Sequence, residues 1–141
     1  MKLMEKILSE ENLHLAIKKV KKNKGAPGID KMTVQEIEYW FEQYQEELIS
    51  KIMNKQYRPM PVKRVYIPKA NGKQRPLGIP TVVDRVIQQA ISQELTKIYE
   101  PIFSEHSYGF RPKRSAHMAM EEVLWYYVKI SDYINVRNLI N

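Results

Sequence analysis

Basic residues that could bind phosphate cluster around one predicted β-hairpin in the middle of the chain. The cluster comprises Lys63, Arg64, Lys69, Lys73 and Arg75. An arginine can hold a phosphate through its planar fork and a lysine offers a compact charge, so the set suits a nucleic-acid backbone or a polyphosphate. A second interpretation is an exposed edge ribbon whose cations prevent aggregation. These residues alone favour neither interpretation over the other.

The hairpin that positions these cations is predicted from its alternation and its turn. Polar and apolar side chains alternate along Lys63–Pro68, with Val65 and Ile67 on one face, and Lys73–Ile79 is the returning strand. Asn71-Gly72 is a strong hairpin signal because both residues tolerate positive φ. Prolines within and beside the strands lack backbone donors, which predicts an edge or projecting ribbon.

Periodic apolar residues and capping signals predict four helices around the hairpin and one further strand. The helices run from Ser9 to about Asn23, from the capping box Thr33–Glu36 to about Asn54, from about Thr81 to Tyr99 and from Ser115 to about Tyr127, and the strand covers Tyr133–Ile140. In the capping box, the threonine is expected to accept a backbone N–H while the glutamate reaches back. Tyr39 and Trp40 are expected to extend the buried face of the second helix.

Composition restricts the class of protein. The chain has 141 residues, which fits one domain, and 43% of them are hydrophobic, which is enough for a core. The absence of cysteine excludes disulfides, zinc fingers and thiol nucleophiles. No apolar run reaches a membrane span, and the first residues lack the apolar stretch of a secretory signal. We therefore expect a soluble intracellular protein with no membrane partner.

Charge is segregated along the chain. Lys and Arg number 23 against 16 acidic residues, a net charge of +7. Lysines crowd residues 18–24, glutamates crowd residues 36–47, and no acid then occurs until Asp84. The gap after residue 47 holds eight basic residues. This segregation predicts a basic working face and an acidic back. Solvated helix surfaces would explain the glutamates well but the basic gap poorly.

Two loops carry further candidate ligands. Gly25-Ala-Pro-Gly28 follows the lysine-rich helix, and its backbone N–H groups either approach phosphate oxygens or form a plain turn. The loop Ser107–Pro112 offers aromatic rings that can stack on bases or sugars. A compatible alternative has Phe110 filling the core and Arg111 holding the loop. The sequence has no P-loop, no His-Glu-x-x-His motif and no carboxylate pair that suggests a metal site.

Four stretches, taken in this order, resemble the N-terminal blocks of group II intron reverse transcriptases, also called maturases. They are residues 23–30 (NKGAPGID), 57–69 (YRPMPVKRVYIPK), 75–90 (RPLGIPTVVDRVIQQA) and 106–112 (HSYGFRP). The resemblance covers about residues 3–127, and the combination is far more specific than any one of its motifs.

The resemblance implies the fingers subdomain of a right-hand polymerase. The expected fold is mixed α/β (α+β) and mostly helical, with about five helices and a small antiparallel hairpin. Residues 1–141 would form this single subdomain, with an N-terminal extension and template loop over 1–31 and the fingers over 32–127. Residues 128–141 would be a degenerate or truncated start of the palm.

The resemblance also implies roles for individual residues. Lys69 and Arg75 match residues that grip the triphosphate of the incoming nucleotide, and Arg111 matches an arginine that supports the nucleotide pocket. Positions near template or nucleotide are matched by Lys63, Arg64 and Arg85. The loop that closes over the template and primer end is matched by Asn23, Lys24, Gly25, Ala26, Pro27, Gly28 and Ile29. With little to pack against, this loop is expected to be mobile without nucleic acid.

The C-terminal stretch departs from the family pattern. The family has a strand there that ends in Asp-x-Asp, whose aspartate binds catalytic magnesium, whereas residues 133–141 contain no aspartate. Two-metal polymerisation needs such carboxylates. We therefore expect this chain to bind no cofactor and to be inactive alone, with Mg²⁺ required by the full-length enzyme.

The family's function implies nucleic-acid partners. We expect intron RNA, an RNA template paired with a DNA primer and, in the full enzyme, a dNTP, in RNA-directed DNA synthesis coupled to intron splicing. The alternative is a non-catalytic remnant that acts as an RNA-binding or dimerisation module and forms a homodimer.

Overall fold

Helices dominate the computed structural model, which describes the backbone of residues 2–139 and the side chains of residues 2–131. In chain order the elements are α1 (Leu3–Ile7), α2 (Glu10–Asn23), α3 (Ile37–Met53), β1 (Lys63–Pro68), β2 (Gln74–Ile79), α4 (Val82–Tyr99), a 3-10 turn (Glu100–Ile102) and α5 (Ala116–Leu139). The two strands pair antiparallel. The predicted mostly helical α+β fold is confirmed. Among the described helices, none has both the length and the apolar character of a membrane span.

The chain divides into two compact units, Met1–Lys97 and Ile98–Asn141. The first unit contains both strands and the helices before them, and the second contains α5. The subdomain boundaries predicted after residues 31 and 127 stay predictions.

The core of the first unit is built from α2, α3 and α4, whose apolar residues recur at spacings of three and four. Its buried members include Leu13, Ala16, Ile17 and Val20 from α2, Ile37, Phe41 and Leu48 from α3, and Val82, Val83, Val86 and Ala90 from α4. Trp40 packs partly against this core, but Tyr39 is 69% exposed, so the prediction for Tyr39 is wrong. Tyr39 lies two positions from both Ile37 and Phe41, and residues so spaced do not share a helix face.

A buried amide ties α2 to α4. Asn12 donates from Nδ2 to the Ala90 carbonyl at 3.0 Å and to the Ile7 carbonyl at 2.8 Å, and Gln93 donates to Asn12 Oδ1 at 2.7 Å. Because each buried polar atom of Asn12 has a partner, its burial is not costly, and the contact fixes how the two helices align.

The start of α3 differs from the predicted capping box. Glu36 does reach back and accepts the Thr33 N–H at 2.7 Å, which together with the Thr33 hydroxyl lowers the pKa of Glu36. That hydroxyl donates to the same carboxylate at 2.7 Å instead of accepting a helix N–H. A turn therefore precedes the helix, which begins at Ile37.

Helix α5 is longer than predicted. Ser115 accepts the Met118 N–H at 3.3 Å, as expected for its cap, but the helix continues to Leu139. The predicted strand Tyr133–Ile140 is therefore wrong as far as Leu139, and Ile140 lies outside the described residues. No glycine or proline interrupts residues 116–139, so nothing ends the helical hydrogen-bond ladder.

Candidate nucleic-acid interface

The cations of the hairpin are divided between its two faces. The strand register sets Ile67 opposite Arg75 and Arg64 opposite Gly78. Because side chains alternate along a strand and directly paired residues share a face, Lys63 and Arg75 lie on one face and Arg64 on the other. The sequence grouped these cations correctly, but the register decides which of them can act together.

Lys69 and Arg75 come together near the hairpin tip. The Lys69 N–H donates to the Lys73 carbonyl at 2.7 Å, so the ladder continues one pair beyond β1 and sets Lys69 on the face of Arg75. Diagonal neighbours in an antiparallel ladder lie about 7–8 Å apart, within joint reach of long side chains. Lys69, Lys73 and Arg75 therefore form a compact cationic tip.

The turn itself has three residues where two were predicted. The Gly72 N–H donates to the Lys69 carbonyl at 3.0 Å, and Gly72 has a φ of 75°. Asn71 keeps an ordinary negative φ and instead accepts the Lys73 N–H on its side-chain oxygen at 3.2 Å. This is a hairpin loop closed by one left-handed glycine.

The hairpin cations are exposed and have no acidic partners. The exposed residues are Lys63, Arg64, Lys69, Lys73 and Arg75. Within the described side chains, the four ion pairs of Lys or Arg and the two His–Glu contacts all involve other residues. Uncompensated positive charge on a projecting ribbon raises the local concentration of phosphate groups.

Asp84 holds the base of the hairpin and was not singled out from the sequence. Its buried carboxylate accepts the Thr81 hydroxyl at 2.8 Å, the Met60 N–H at 3.1 Å and the Tyr57 hydroxyl. Burial, followed by this contact with Asp84, raises the pKa of Tyr57. The sequence carried a signal for the Thr81 contact alone, because Thr81-Val-Val-Asp84 has the spacing of a capping box.

The loop of residues 23–29 packs against the start of α4. A Cβ on Gly28 would lie 2.7 Å from the Thr81 Cα, so the two backbones are in close contact. The Arg85 guanidinium lies against Gly25 and donates to the Ala26 carbonyl at 2.7 Å. The expectation that this loop has little to pack against is therefore wrong, while its mobility stays a prediction.

Arg85 joins two parts of the predicted interface. Arg85 lines a cleft of about 320 Å³ together with Asn23, Gln88 and Ser92. It therefore contacts the loop of residues 23–29, which lies at least 56 positions earlier in the sequence. Its Nε is buried and has no hydrogen-bond partner among the described residues. Burial lowers the pKa of Arg85, and nearby Asp30 opposes that shift.

Arg111 is committed to its own loop in the second unit. Its guanidinium donates to the Glu100 carboxylate at 2.9 Å, to the Ser104 carbonyl at 2.7 Å and to the Ser107 carbonyl at 2.8 Å, and it lies over the Phe103 ring. The side chain is 7% exposed. This geometry matches the loop-holding alternative, and a nucleotide-supporting role would act through the loop that Arg111 shapes.

The same alternative also expected the Phe110 ring to fill the core, and it does not. It is fully exposed on a residue with a φ of 57°, so the burial prediction is wrong. Its neighbour Tyr108 instead donates to Glu122, which lowers the pKa of that carboxyl, and Arg114 lies over the Tyr108 ring.

Metal-ligating side chains do not cluster in the part of the chain that the structure describes. No three His, Asp or Glu residues there could together hold a metal ion. The magnesium requirement of a full-length enzyme stays a prediction, and no described residue is assigned to that ion.

The amino-acid sequence is similar to one protein family and to several known proteins. The model of the reverse transcriptase (RNA-dependent DNA polymerase) family matches residues 67–133. The chain is 39% identical to protein YkfC of Escherichia coli (strain K12) over 86% of this chain and 32% of that protein. It is 48% identical to the group II intron-encoded protein LtrA of Lactococcus lactis subsp. cremoris, over 57% of this chain and 14% of that protein. It is 33% identical to the putative COX1/OXI3 intron 2 protein of Saccharomyces cerevisiae over 77% of this chain and 12% of that protein.

The match covers residues 67–133, a little under half of the chain, and identifies this part with the reverse transcriptase family. The chain's relatives include a group II intron-encoded protein and a putative intron protein, which confirms the resemblance drawn from the motifs. The chain spans a third or less of the length of these relatives. The nucleotide and template roles of individual residues stay predictions.

Proposed function

We propose that this chain is the fingers part of a group II intron reverse transcriptase and that it binds RNA, or an RNA template paired with a DNA primer, through phosphate contacts. The observation that carries the proposal is the set of exposed hairpin cations without acidic partners. Lys63, Lys69 and Arg75 supply contacts on one face, and Arg64 supplies one on the other. Such binding would occur in the cytoplasm, in association with RNA.

The nucleotide role belongs to the complete polymerase. We propose that Lys69 and Arg75 grip the triphosphate of an incoming dNTP there, because their shared face presents a point charge and a planar fork to one polyphosphate. Magnesium would be bound by carboxylates that the described residues do not provide. Within the second unit, Arg111 would support a nucleotide pocket through the loop that it holds.

Salt-dependent binding of single-stranded RNA tests the RNA proposal. If about five phosphates are neutralised, the log–log slope of affinity against salt should be roughly −3 to −4. The double variant Lys69→Gln/Arg75→Gln should make the slope shallower by about 1.4, because each lost single-strand contact removes about 0.7.

A charge-matched control separates the hairpin from net charge. Lys6→Gln/Lys113→Gln also removes two positive charges from exposed lysines, but from helix α1 and from the loop before α5. We expect this control to leave the slope nearly unchanged. Equal losses in the two double variants would contradict a hairpin interface, and a salt-independent affinity would contradict phosphate binding altogether.

A second candidate function is a dimerisation module, favoured by α5. The described part of this helix exposes large apolar side chains at Val123, Leu124, Trp125, Tyr126, Tyr127, Val128 and Ile130, each at least 45% exposed. A helix that is apolar on every side is normally covered by protein. A second copy of the chain would cover it in a homodimer.

A further inference from the structure

We propose that a cavity beside α3 in the first unit binds one unpaired nucleobase of the RNA. The proposal rests on the RNA-binding function above and adds a base contact to its phosphate contacts. The cavity measures about 500 Å³ and lies between α3, the segment that leads to the hairpin and the start of α4. That volume is within the range of pockets that hold small ligands.

Two aromatic rings form a stacking surface on the α3 side of this cavity. Trp40 and Tyr44 both line it, with ring centroids 5.3 Å apart and planes inclined by 38°. Tyr44 is 48% exposed. No described residue accepts a hydrogen bond from the Trp40 indole or the Tyr44 hydroxyl. The half-exposed Tyr44 ring, beside the Trp40 ring that packs partly against the core, can stack an unpaired base of RNA.

Asp30 supplies a hydrogen-bond acceptor at the cavity wall. Its Oδ1 accepts the Met32 N–H at 3.2 Å, and its Oδ2 accepts no hydrogen bond from a described residue. An ionised carboxylate only accepts, so it selects a base edge that donates, such as the exocyclic amine of cytosine. Uracil presents a carbonyl oxygen at the equivalent position.

The charged side chains that line the cavity are Asp30, Glu47, Lys51 and Arg58, and Lys51 pairs with Glu47. Arg58 is exposed and pairs with no acid among the described residues. Arg58 can therefore contact a phosphate beside a bound base. It belongs to the stretch between Glu47 and Asp84 that holds eight basic residues and no acidic one. The same stretch runs directly into β1, which begins at Lys63, five positions after Arg58.

A pair of oligonucleotides tests the base contact. Oligo(C) and oligo(U) have rings of the same size and the same backbone charge. They differ at C4, where cytosine has an amine and uracil a carbonyl, and at N3, which accepts in cytosine and donates in uracil, so the pair tests a contact of Asp30 with the C4 amine. We expect the full chain to bind oligo(C) about fivefold or more tightly than oligo(U), with the same salt slope for both. In a Trp125→Phe background, where Trp40 is the remaining tryptophan, oligo(C) should quench its fluorescence.

Substitutions at the cavity assign the preference to its residues. Asp30→Asn keeps an oxygen for the Met32 N–H and replaces the free acceptor with a donor, so the preference should shift towards oligo(U). Tyr44→Leu keeps apolar bulk at an exposed site and should weaken both oligonucleotides by about fivefold or more. Tyr39→Leu removes an exposed ring one position before Trp40 that does not line this cavity, and it should leave both affinities unchanged.

The outcomes separate this inference from the RNA proposal. Salt-dependent binding with equal affinity for the two oligonucleotides, together with wild-type affinity in Tyr44→Leu, would overturn the base contact while the phosphate interface stands. Binding of neither oligonucleotide at low salt would overturn both. Equal weakening by Tyr39→Leu and Tyr44→Leu would also overturn the base contact, because it would assign the effect to the helix and not to the cavity.

Discussion

Arg111 illustrates how much of a residue's role is fixed by its partners. A guanidinium has five N–H donors in a rigid fork, and the loop of Arg111 offers a carboxylate and several carbonyls around it. A lysine has the charge but not the fork. The loop geometry therefore depends on arginine specifically.

We predict that Arg111→Lys destabilises the second unit by about 2 kcal/mol, since hydrogen bonds to charged groups are worth about 1.5–3 kcal/mol each and a lysine retains only some of them. Urea unfolding followed by Trp125 fluorescence in a Trp40→Phe background reports on this unit. Arg58→Lys, at an exposed arginine of the first unit, is the control and should not shift the midpoint. An unchanged midpoint in Arg111→Lys would show that the loop contacts contribute little.

Tyr57 gives the first unit a dependence on alkaline pH. Its pKa is raised by burial and by the Asp84 contact, so the folded state holds the phenol proton more tightly than the unfolded state. This contribution to stability is fully present below the ordinary tyrosine pKa of about 10 and is lost as pH rises above it.

We predict that stability falls more steeply between about pH 9.5 and pH 11 in the wild type than in Tyr57→Phe. The measurement is the urea midpoint of Trp40 fluorescence, in a Trp125→Phe background, across that range. Lysines and other tyrosines titrate in both proteins, so the difference between the two curves isolates Tyr57. Parallel curves would contradict the prediction.

Residue types and spacing identified the cations of the interface but not their supports. Lys69 and Arg75 could be paired from the sequence because the hairpin turn fixes them close together. Asp84 could not be given its role, since its partners Tyr57 and Met60 lie more than 20 positions away and meet it only through the fold. The role of a buried polar group depends on its hydrogen-bond partners in the folded protein, and spacing along the chain does not reveal them.

The hairpin is the element on which the nucleotide proposal depends. Its register separates Arg64 from Lys69 and Arg75, which gives a control of the same chemistry on the other face. All three side chains are exposed, so alanine at any of them should change stability by no more than about 0.5 kcal/mol. Differences between the three variants would therefore report function.

We predict that Lys69→Ala and Arg75→Ala each raise the KM for dNTP or lower kcat by about tenfold. A tenfold change corresponds to the loss of one charge-assisted contact. The measurement is KM and kcat for dNTP in a chimera that joins this chain to an intact palm and thumb. Arg64→Ala should change these constants much less. Wild-type nucleotide kinetics in both tip variants would leave the hairpin as a nucleic-acid clamp or a solubilising edge.

The close approach of the loop 23–29 to α4 yields a prediction about stability. In Gly28→Ala the new methyl group would meet the Thr81 backbone, which cannot swing aside as a side chain can. We predict a loss of about 1–3 kcal/mol and faster hydrogen exchange in this loop. Gly109→Ala is the control, because nothing lies within 4 Å of its added Cβ. Equal stability of the two variants would mean that the loop is free of α4.

At the scale of elements, local signals predicted most of the fold. Spacing and caps located α2, α4 and both strands to within a residue or two, because each has its own turn or capping signal. The five-residue α1 was missed, since a single turn has no periodicity to detect. The strand predicted at Tyr133 was wrong because β-branched residues also continue a helix when nothing interrupts it. The packing of the loop on α4 is tertiary and left no local signal.

For the whole molecule, the exposed apolar surface of α5 predicts self-association. Trp125, Tyr126 and Tyr127 alone leave roughly 350 Å² accessible, at about 200 Å² for a fully exposed ring. With the aliphatic side chains beside them, the patch exceeds the roughly 300–600 Å² that a monomer usually exposes. A net charge of +7 opposes association, so raising salt should favour it while weakening RNA binding.

We predict a concentration-dependent dimer in sedimentation equilibrium, strengthened by salt and lost in Leu124→Lys/Tyr127→Lys. Lysines in the middle of the patch place charge where apolar surface would be buried. Tyr39→Lys puts the same charge on an exposed tyrosine of the first unit and should leave the dimer intact. A monomer at all salt concentrations, or equal dissociation by both variants, would contradict association through α5.

The turn of the hairpin favours a residue of D configuration at Gly72. Gly72 has a φ of 75°, a conformation natural for a D-amino acid, and open space surrounds the position that a side chain would occupy. A D-alanine there would keep the turn and remove conformational freedom from the unfolded chain, a gain of about 0.4–1 kcal/mol. Among the genetically encoded residues, glycine adopts this conformation most easily. The turn that presents the cationic tip would therefore be best filled by a D-amino acid, which the ribosome does not incorporate.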